Sequence, residues 1–215
     1  MLKKSHAQDH LTGEHTEFTM STQTKLIVGL GNPGSEYDNT RHNAGWWLLD
    51  RLSQQLNVTL SPESKFHGLT ARARIHGGDV WLLQPMQYMN RSGAAIATLA
   101  HFYKILPENI IVLHDELDLP IGSAKMKLGG SSGGHNGLKD TQAKLGTDKF
   151  WRLRIGIDHP RNSSIPLQPV ADYVLKPPKQ AERSEIDKAI DKAQDAINEW
   201  LTGNTQKAIQ NLHAK

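Results

Sequence analysis

Three sets of residues in this chain have the types and spacing to do chemistry. Gly29, Gly31 and Gly34 in VGLGNPG, directly behind the apolar run KLIVGL, carry the GxGxxG spacing of a loop that wraps a dinucleotide pyrophosphate. That fingerprint also requires an acidic residue about 20 positions on, at the end of a second strand, to hold the ribose. Asp50 stands at roughly that distance but closes a helical pattern, GWWLLD, and Pro33 removes a backbone N–H that a phosphate cradle would use. A tight turn leaving a strand fits these residues better. Gly130, Ser132 and Gly134 in GGSSGG satisfy GxSxG, with Asp158 and His159 following in the order of an α/β-hydrolase triad. A nucleophile elbow is a rigid turn, whereas four glycines and two serines in six residues make a loose one. Neighbours on a strand also point to opposite faces, which places Asp158 poorly for orienting His159.

The third set is a group of amides, histidines and an aspartate at the ends of elements. Asn32 follows the first strand pattern, His42 and Asn43 in TRHN open a helical one, and Asn90 in YMNRSG precedes another. Asp115 in LHDELD ends a strand, and His135 and Asn136 in GGHNG precede a third helix. An imidazole, a carboxylate and amide donors are the parts of water-activated hydrolysis: a base near neutrality, an orienting group and an oxyanion site. Taken singly, each has a structural reading: the asparagines as helix caps, His42 as a cap or surface side chain, Asp115 as a turn former. Their joint placement, where open α/β sheets gather ligands, points to convergence. No metal site is expected, because the histidines show no HExxH spacing and there is no cysteine.

The elements that must position these residues follow from periodicity. KLIVGL reads as a buried strand, and NAGWWLLDRLSQQL as a helix with Trp46, Trp47, Leu49, Leu52 and Leu56 on one side. LTARARIHGGDVWLLQP alternates around Gly77 and Gly78, a hairpin signal. SGAAIATLAHFYKIL is a second helix, NIIVLHDELD and SAKMKLGG are strands, and HNGLKDTQAKLG is a short helix closed by Gly146. WRLRIGI alternates Trp151, Leu153, Ile155 and Ile157 against Arg152 and Arg154. RSEIDKAIDKAQDAINEWL sets Ile186, Ala189, Ile190, Ala193, Ile197, Trp200 and Leu201 on one stripe, with Gly203 as its stop. The expectation is one α/β domain over residues 25–215, with a twisted mixed, mostly parallel sheet flanked by helices.

Composition bounds the class. With 215 residues and 37% hydrophobic positions the chain can bury one core. No apolar run nears the ~20 residues that span a bilayer, and the first 20 residues lack the apolar centre of a signal peptide, so a cytoplasmic protein is expected. Residues 1–24 are polar and read as a disordered extension, with Met20 a candidate natural start. The lack of cysteine excludes disulfides and thiol catalysis. Net charge is only +3, but Lys125, Lys127, Lys139, Lys144, Lys149, Arg152, Arg154 and Arg161 crowd one stretch, as a solvated face or a polyanion surface.

Together these residues resemble bacterial-type peptidyl-tRNA hydrolase. YDNTRHNAGWWLLD and GGHNGLKD are similar to its two signatures, joined in order by GLGNPG, MNRSG, HDELDLP and RLRIGI, from about Lys25 to the C-terminal helix. The resemblance implies an enzyme that cleaves the ester between a peptide, or another N-blocked aminoacyl group, and the 3′ ribose of tRNA. It implies no cofactor, peptidyl-tRNA as the nucleic-acid partner, no membrane, and a monomer without an obligate protein partner. It makes His42 the base that activates water and Asp115 its supporting carboxylate. Asn90 and Asn136, with His135 beside them, would bind substrate near the scissile carbonyl. Asn32 would help discriminate blocked from free aminoacyl groups, Tyr37 and Tyr88 would line the tRNA or peptide site, and Lys125, Lys127 and Arg154 would meet phosphates. Two positions depart from the family pattern: Ser132 stands where histidine is common, and Asp158 where GIGHP is usual. A noncatalytic RNA-binding module and a serine esterase built on Ser132 are the competing readings.

Overall fold

Strand β1 (Lys25–Gly29) carries Leu26 and Val28 toward one face and Ile27 toward the other, all fully buried, the pattern of a strand covered on both sides. The structure, a computed structural model, describes residues 23–214; the N-terminal extension, up to residue 22, lies outside the described residues. The other strands are β2 (Ser61–Glu63), β3 (Gly68–Ile75), β4 (Gly78–Pro85), β5 (Ile110–Glu116), β6 (Ala124–Leu128) and β7 (Trp151–Gly156). They form one sheet in the order β2-β3-β4-β1-β5-β7-β6. Its centre, β4-β1-β5-β7, is parallel, and the strands outside it, β2, β3 and β6, pair antiparallel. The hairpin between β3 and β4 turns at His76 and Gly77, both with positive φ (48° and 81°), the geometry that matches the twist of the flanking strands.

Helices cover both faces. On one, α1 (Ala44–Gln55), α5 (Gln180–Leu201) and α6 (Thr205–His213) pack over Ile27, Leu82, Leu113, Leu153 and Ile155. The stripe along α5 is buried from Ile186 to Trp200 as its spacing requires, with Leu201 partly buried, and Gly203, at φ 84°, stands just beyond its end. On the other, α2 (Ser92–Phe102) and α3 (Asn136–Leu145) pack over Leu26, Val28, Leu83 and Val112. A short helix, α4 (Val170–Val174), lies beside the C-terminal ends of the parallel strands. Edge strand β6 is partly covered by α6, whose His213 Nε2 accepts the Met126 N–H at 3.0 Å. Among the described residues no helix is long and apolar enough to cross a membrane.

Candidate active site

The site begins where α1 meets the ends of β1 and β5. A Cβ on Gly45 would lie 2.3 Å from the Leu113 carbonyl oxygen and 2.6 Å from that of Leu30, so glycine lets the helix start rest directly on the sheet. That contact sets the turn Arg41–Asn43 over β5 and brings His42 to Asp115. Buried Arg41 anchors the same turn, donating to the carbonyls of Tyr173, Lys176 and Pro177 and to Glu182 Oε2 (2.8 Å).

Asp115 is 2% exposed, and its Oδ1 lies 2.9 Å from both His42 Nδ1 and His135 Nε2. Burial alone would raise its pKa, but the two imidazoles, by charge and by hydrogen bond, hold it well below the usual carboxylate range. An ionised carboxylate only accepts, so His42 carries its proton on Nδ1 and keeps a lone pair on Nε2. His135 accepts the Leu138 N–H on Nδ1 at 3.4 Å, which places its own N–H on Nε2, toward Asp115. For His42, burial pulls the pKa down, but the charge and hydrogen bond of Asp115 outweigh it and leave the pKa above 6.5. Behind them sits His114, 1% exposed, its Nδ1–H donating to the Asp115 carbonyl at 2.7 Å and its ring 5.1 Å from that of His135. Burial foremost, then the neighbouring His135, pushes its pKa down to about 3, so it is neutral near pH 7.

The donor atoms of His42, Asp115 and His135 lie within 4.8 Å of one another, a grouping that the sequence spacing did not reveal. A cation would have to displace existing bonds, since both nitrogens point at one oxygen and satisfy it.

This group opens on a cavity of about 580 Å³, which Asn32, Tyr88, Asn90 and Asn136 also line. None of these asparagines caps a helix, contrary to the one-at-a-time expectation. Asn43 at the start of α1 makes no capping bond; its amide is a strut, accepting the Asn32 N–H at 2.9 Å and donating to the Asn32 carbonyl at 3.0 Å. Asn90 lies inside the turn Met89–Arg91, and α3 is capped by His135. Asn32 is buried, and its side-chain oxygen accepts the Met89 N–H at 2.7 Å, which leaves its NH₂ for a ligand. Tyr88 stands exposed on the rim; Tyr37 does not line the cavity but meets Tyr88 edge-on at 6.4 Å.

The competing sites dissolve in the structure. Gly31 makes room for the Trp46 indole and Gly29 for Gly45 of α1, not for a phosphate, and Asp50 lies within α1. Ser132 does line the cavity, but Asp158 Oδ1 accepts from the His159 backbone and from Asn162, and His159 Nδ1 accepts the Arg161 N–H, so no triad forms. Asp158, at φ 63°, occupies the left-handed conformation natural to the glycine of GIGHP. Lys125, Lys127 and Arg154 lie outside the cavity, on the sheet face opposite Met126, Leu153 and Ile155, and Arg154 Nε donates to Glu116 Oε2 at 2.9 Å. The sequence reading missed the cavity's apolar wall of Met89, Leu117, Val170, Val174 and Leu175.

Comparison with known proteins places the chain in a family. Residues 26–215 match the family model described as Peptidyl-tRNA hydrolase. The peptidyl-tRNA hydrolase of Cupriavidus metallidurans is 54% identical over 193 residues, 88% of this chain and 98% of its own length. That of Bordetella avium is 53% identical over 208 residues, 97% of this chain and 99% of its own length. The crystal structure of peptidyl-tRNA hydrolase from Acinetobacter baumannii superposes with a TM-score of 0.83 at 44% identity, covering 90% of this chain and 96% of that one. With the motifs, the fold and relatives more than half identical along nearly their whole length in agreement, this chain belongs to the peptidyl-tRNA hydrolase family.

Proposed function

We propose that His42 is the general base for cleaving the ester between the peptide and the tRNA. The observation that carries this is the single Asp115 oxygen bonded to His42 Nδ1, which fixes a bare Nε2 on a cavity-lining imidazole. That nitrogen takes a proton from water as the water oxygen attacks the ester carbonyl, and Asp115 stabilises the imidazolium formed. When the C–O bond to the ribose breaks, the same proton passes to the departing 3′ oxygen. Asn90 and Asn136 supply N–H donors to the oxyanion, a well-placed one contributing about 3 kcal/mol. Asn32, its oxygen already engaged by Met89, offers donors that suit the carbonyl of a blocked amine and not a free ammonium. Tyr88, on the rim with Tyr37 packed edge-on against it, meets the peptide or the tRNA end, and Lys125, Lys127 and Arg154 meet phosphates. On this reading the enzyme works alongside translation in the cytoplasm, as a monomer and without a cofactor.

The test is peptidyl-tRNA cleavage by wild type, His42→Ala and Ser132→Ala. His42→Ala is expected to lose about 10²- to 10⁴-fold in rate, with Ser132→Ala active. Full activity in His42→Ala removes the mechanism, and an acyl-enzyme trapped on Ser132 replaces it with a serine esterase.

A further inference from the structure

The stretch Gly129–Gly134 leads from β6 to α3 and delivers His135 and Asn136 to the cavity, while its own Ser132, Gly133 and Gly134 form part of the wall. Gly129, Gly130, Gly133 and Gly134 all have positive φ, and a chain so rich in glycine holds no shape by itself. Its root is nevertheless held from several sides. Gly129 N–H donates to the Phe150 carbonyl at 3.0 Å, Gly130 N–H to Asp148 Oδ2 at 3.1 Å, and Gln142 Nε2 to the Gly130 carbonyl at 2.6 Å.

Arg152 lies beneath this root. It is 1% exposed on β7, its Nη1 donates to the Ser131 carbonyl at 2.6 Å, and its Nη2 donates to the Gly130 carbonyl. Among the described residues it forms no ion pair within 4.0 Å. Asp148 and Glu116 act on its charge only from beyond ion-pair distance, and burial works against the cation, so holding it here is costly. What a guanidinium offers in return is a rigid planar fork that grips two consecutive carbonyls, which neither lysine nor an apolar side chain reproduces. Beyond Ser131 the loop is bridged internally by the His135 N–H to Ser132 carbonyl bond at 3.0 Å, and then His135 reaches Asp115. The position of His135 therefore depends on the root.

We propose that Arg152 is a positioning residue for the hydrolysis, fixing the glycine-rich loop so that His135 shares the Asp115 oxygen with His42 and Asn136 faces the ester. This rests on His42 being the base. If the root drifts, the His135 N–H leaves Asp115 and the undivided carboxylate charge acts on His42. The imidazolium is then favoured, and the acid limb of the pH–rate profile moves to higher pH.

The test compares Arg152→Lys, Arg152→Met and the milder Gln142→Leu with wild type, measuring kcat, KM, the pH profile, salt dependence of tRNA binding and thermal unfolding. In folded Arg152 variants kcat is expected to fall about ten- to a hundredfold with KM nearly unchanged. Their acid limb should move up in pH, as it should in His135→Ala. Gln142→Leu should show a smaller effect in the same direction. Wild-type kcat in folded Arg152→Lys overturns the proposal, as does a loss confined to KM with a shallower salt dependence, which would make Arg152 a tRNA contact. If neither Arg152 variant folds, wild-type kinetics in Gln142→Leu overturn it instead. Failure of the His42 reading is separate: it shows as full activity in His42→Ala, whatever the Arg152 variants do.

Discussion

At the scale of residues, the site is organised by one carboxylate oxygen between two imidazoles. Only neutral His42 is a base, so kcat/KM should rise with pH through its pKa, and the raised value puts that acid limb above 6.5. Asp115→Asn removes the attraction that raises His42 but not the burial that lowers it, so the limb should move to lower pH. The rate should also drop by about 10²- to 10⁴-fold, because the fixed tautomer is lost. A limb that stays in place in the pH–rate profile of Asp115→Asn counts against the coupling. His114 has the opposite shift and a different consequence. Below pH 6.5 the unfolded chain binds a proton on this residue that the folded protein refuses until about pH 3. Stability is therefore lost as pH falls through that window, with a slope of up to about 1.4 kcal/mol per pH unit. Urea unfolding at pH 7.5, 6 and 5 should show a flatter dependence in His114→Gln than in wild type; equal slopes would contradict the assignment.

At the scale of elements, Gly29 and Gly31 of the apparent cofactor fingerprint are contacts between α1 and the segment that ends β1. Gly45→Ala should cost about 1–3 kcal/mol, because its methyl would strike backbone carbonyls that cannot turn aside. Since the same contact sets His42 over Asp115, kcat at a temperature where the variant is folded should fall as well. Urea unfolding and steady-state kinetics check both, and a stable, fully active variant would show that the close approach is not needed. The long elements were legible because their patterns are strong: the α5 stripe, the β3–β4 hairpin and the apolar runs Leu26–Val28 in β1 and Ile110–Leu113 in β5. β2 has three exposed residues, α4 five residues, and α6 follows the Gly203 stop, so none carries enough pattern to stand out.

At the scale of the whole molecule, net charge is only +3, so the proposed tRNA surface rests on where the cations stand. Lys125 and Lys127 on the edge strand and Arg154 beside them share one sheet face, and Arg154 reaches Glu116 of the cavity wall. Affinity for tRNA should fall with salt as counterions are released, and Lys127→Ala and Arg154→Ala should each flatten the log–log slope by about one. Arg154→Ala also frees Glu116 on the cavity wall, so it should weaken binding more at low salt than Lys127→Ala does. Filter binding across a salt series reads both, and unchanged slopes in the two variants would remove this face from the tRNA surface.

The amino-acid sequence by itself determined the α/β class, the order of the main elements and the placing of Asn32, His42, Asn90, Asp115, His135 and Asn136 at their ends, because periodicity and chain position are local properties. Tertiary structure alone decided that Asp115, 73 residues from His42 and 20 from His135, shares one oxygen between them. It also decided that Asn43 is a strut and not a cap, and that the conspicuous Ser132 has no triad. These outcomes depend on the direction of hydrogen bonds and on burial, which arise only when distant segments are packed together.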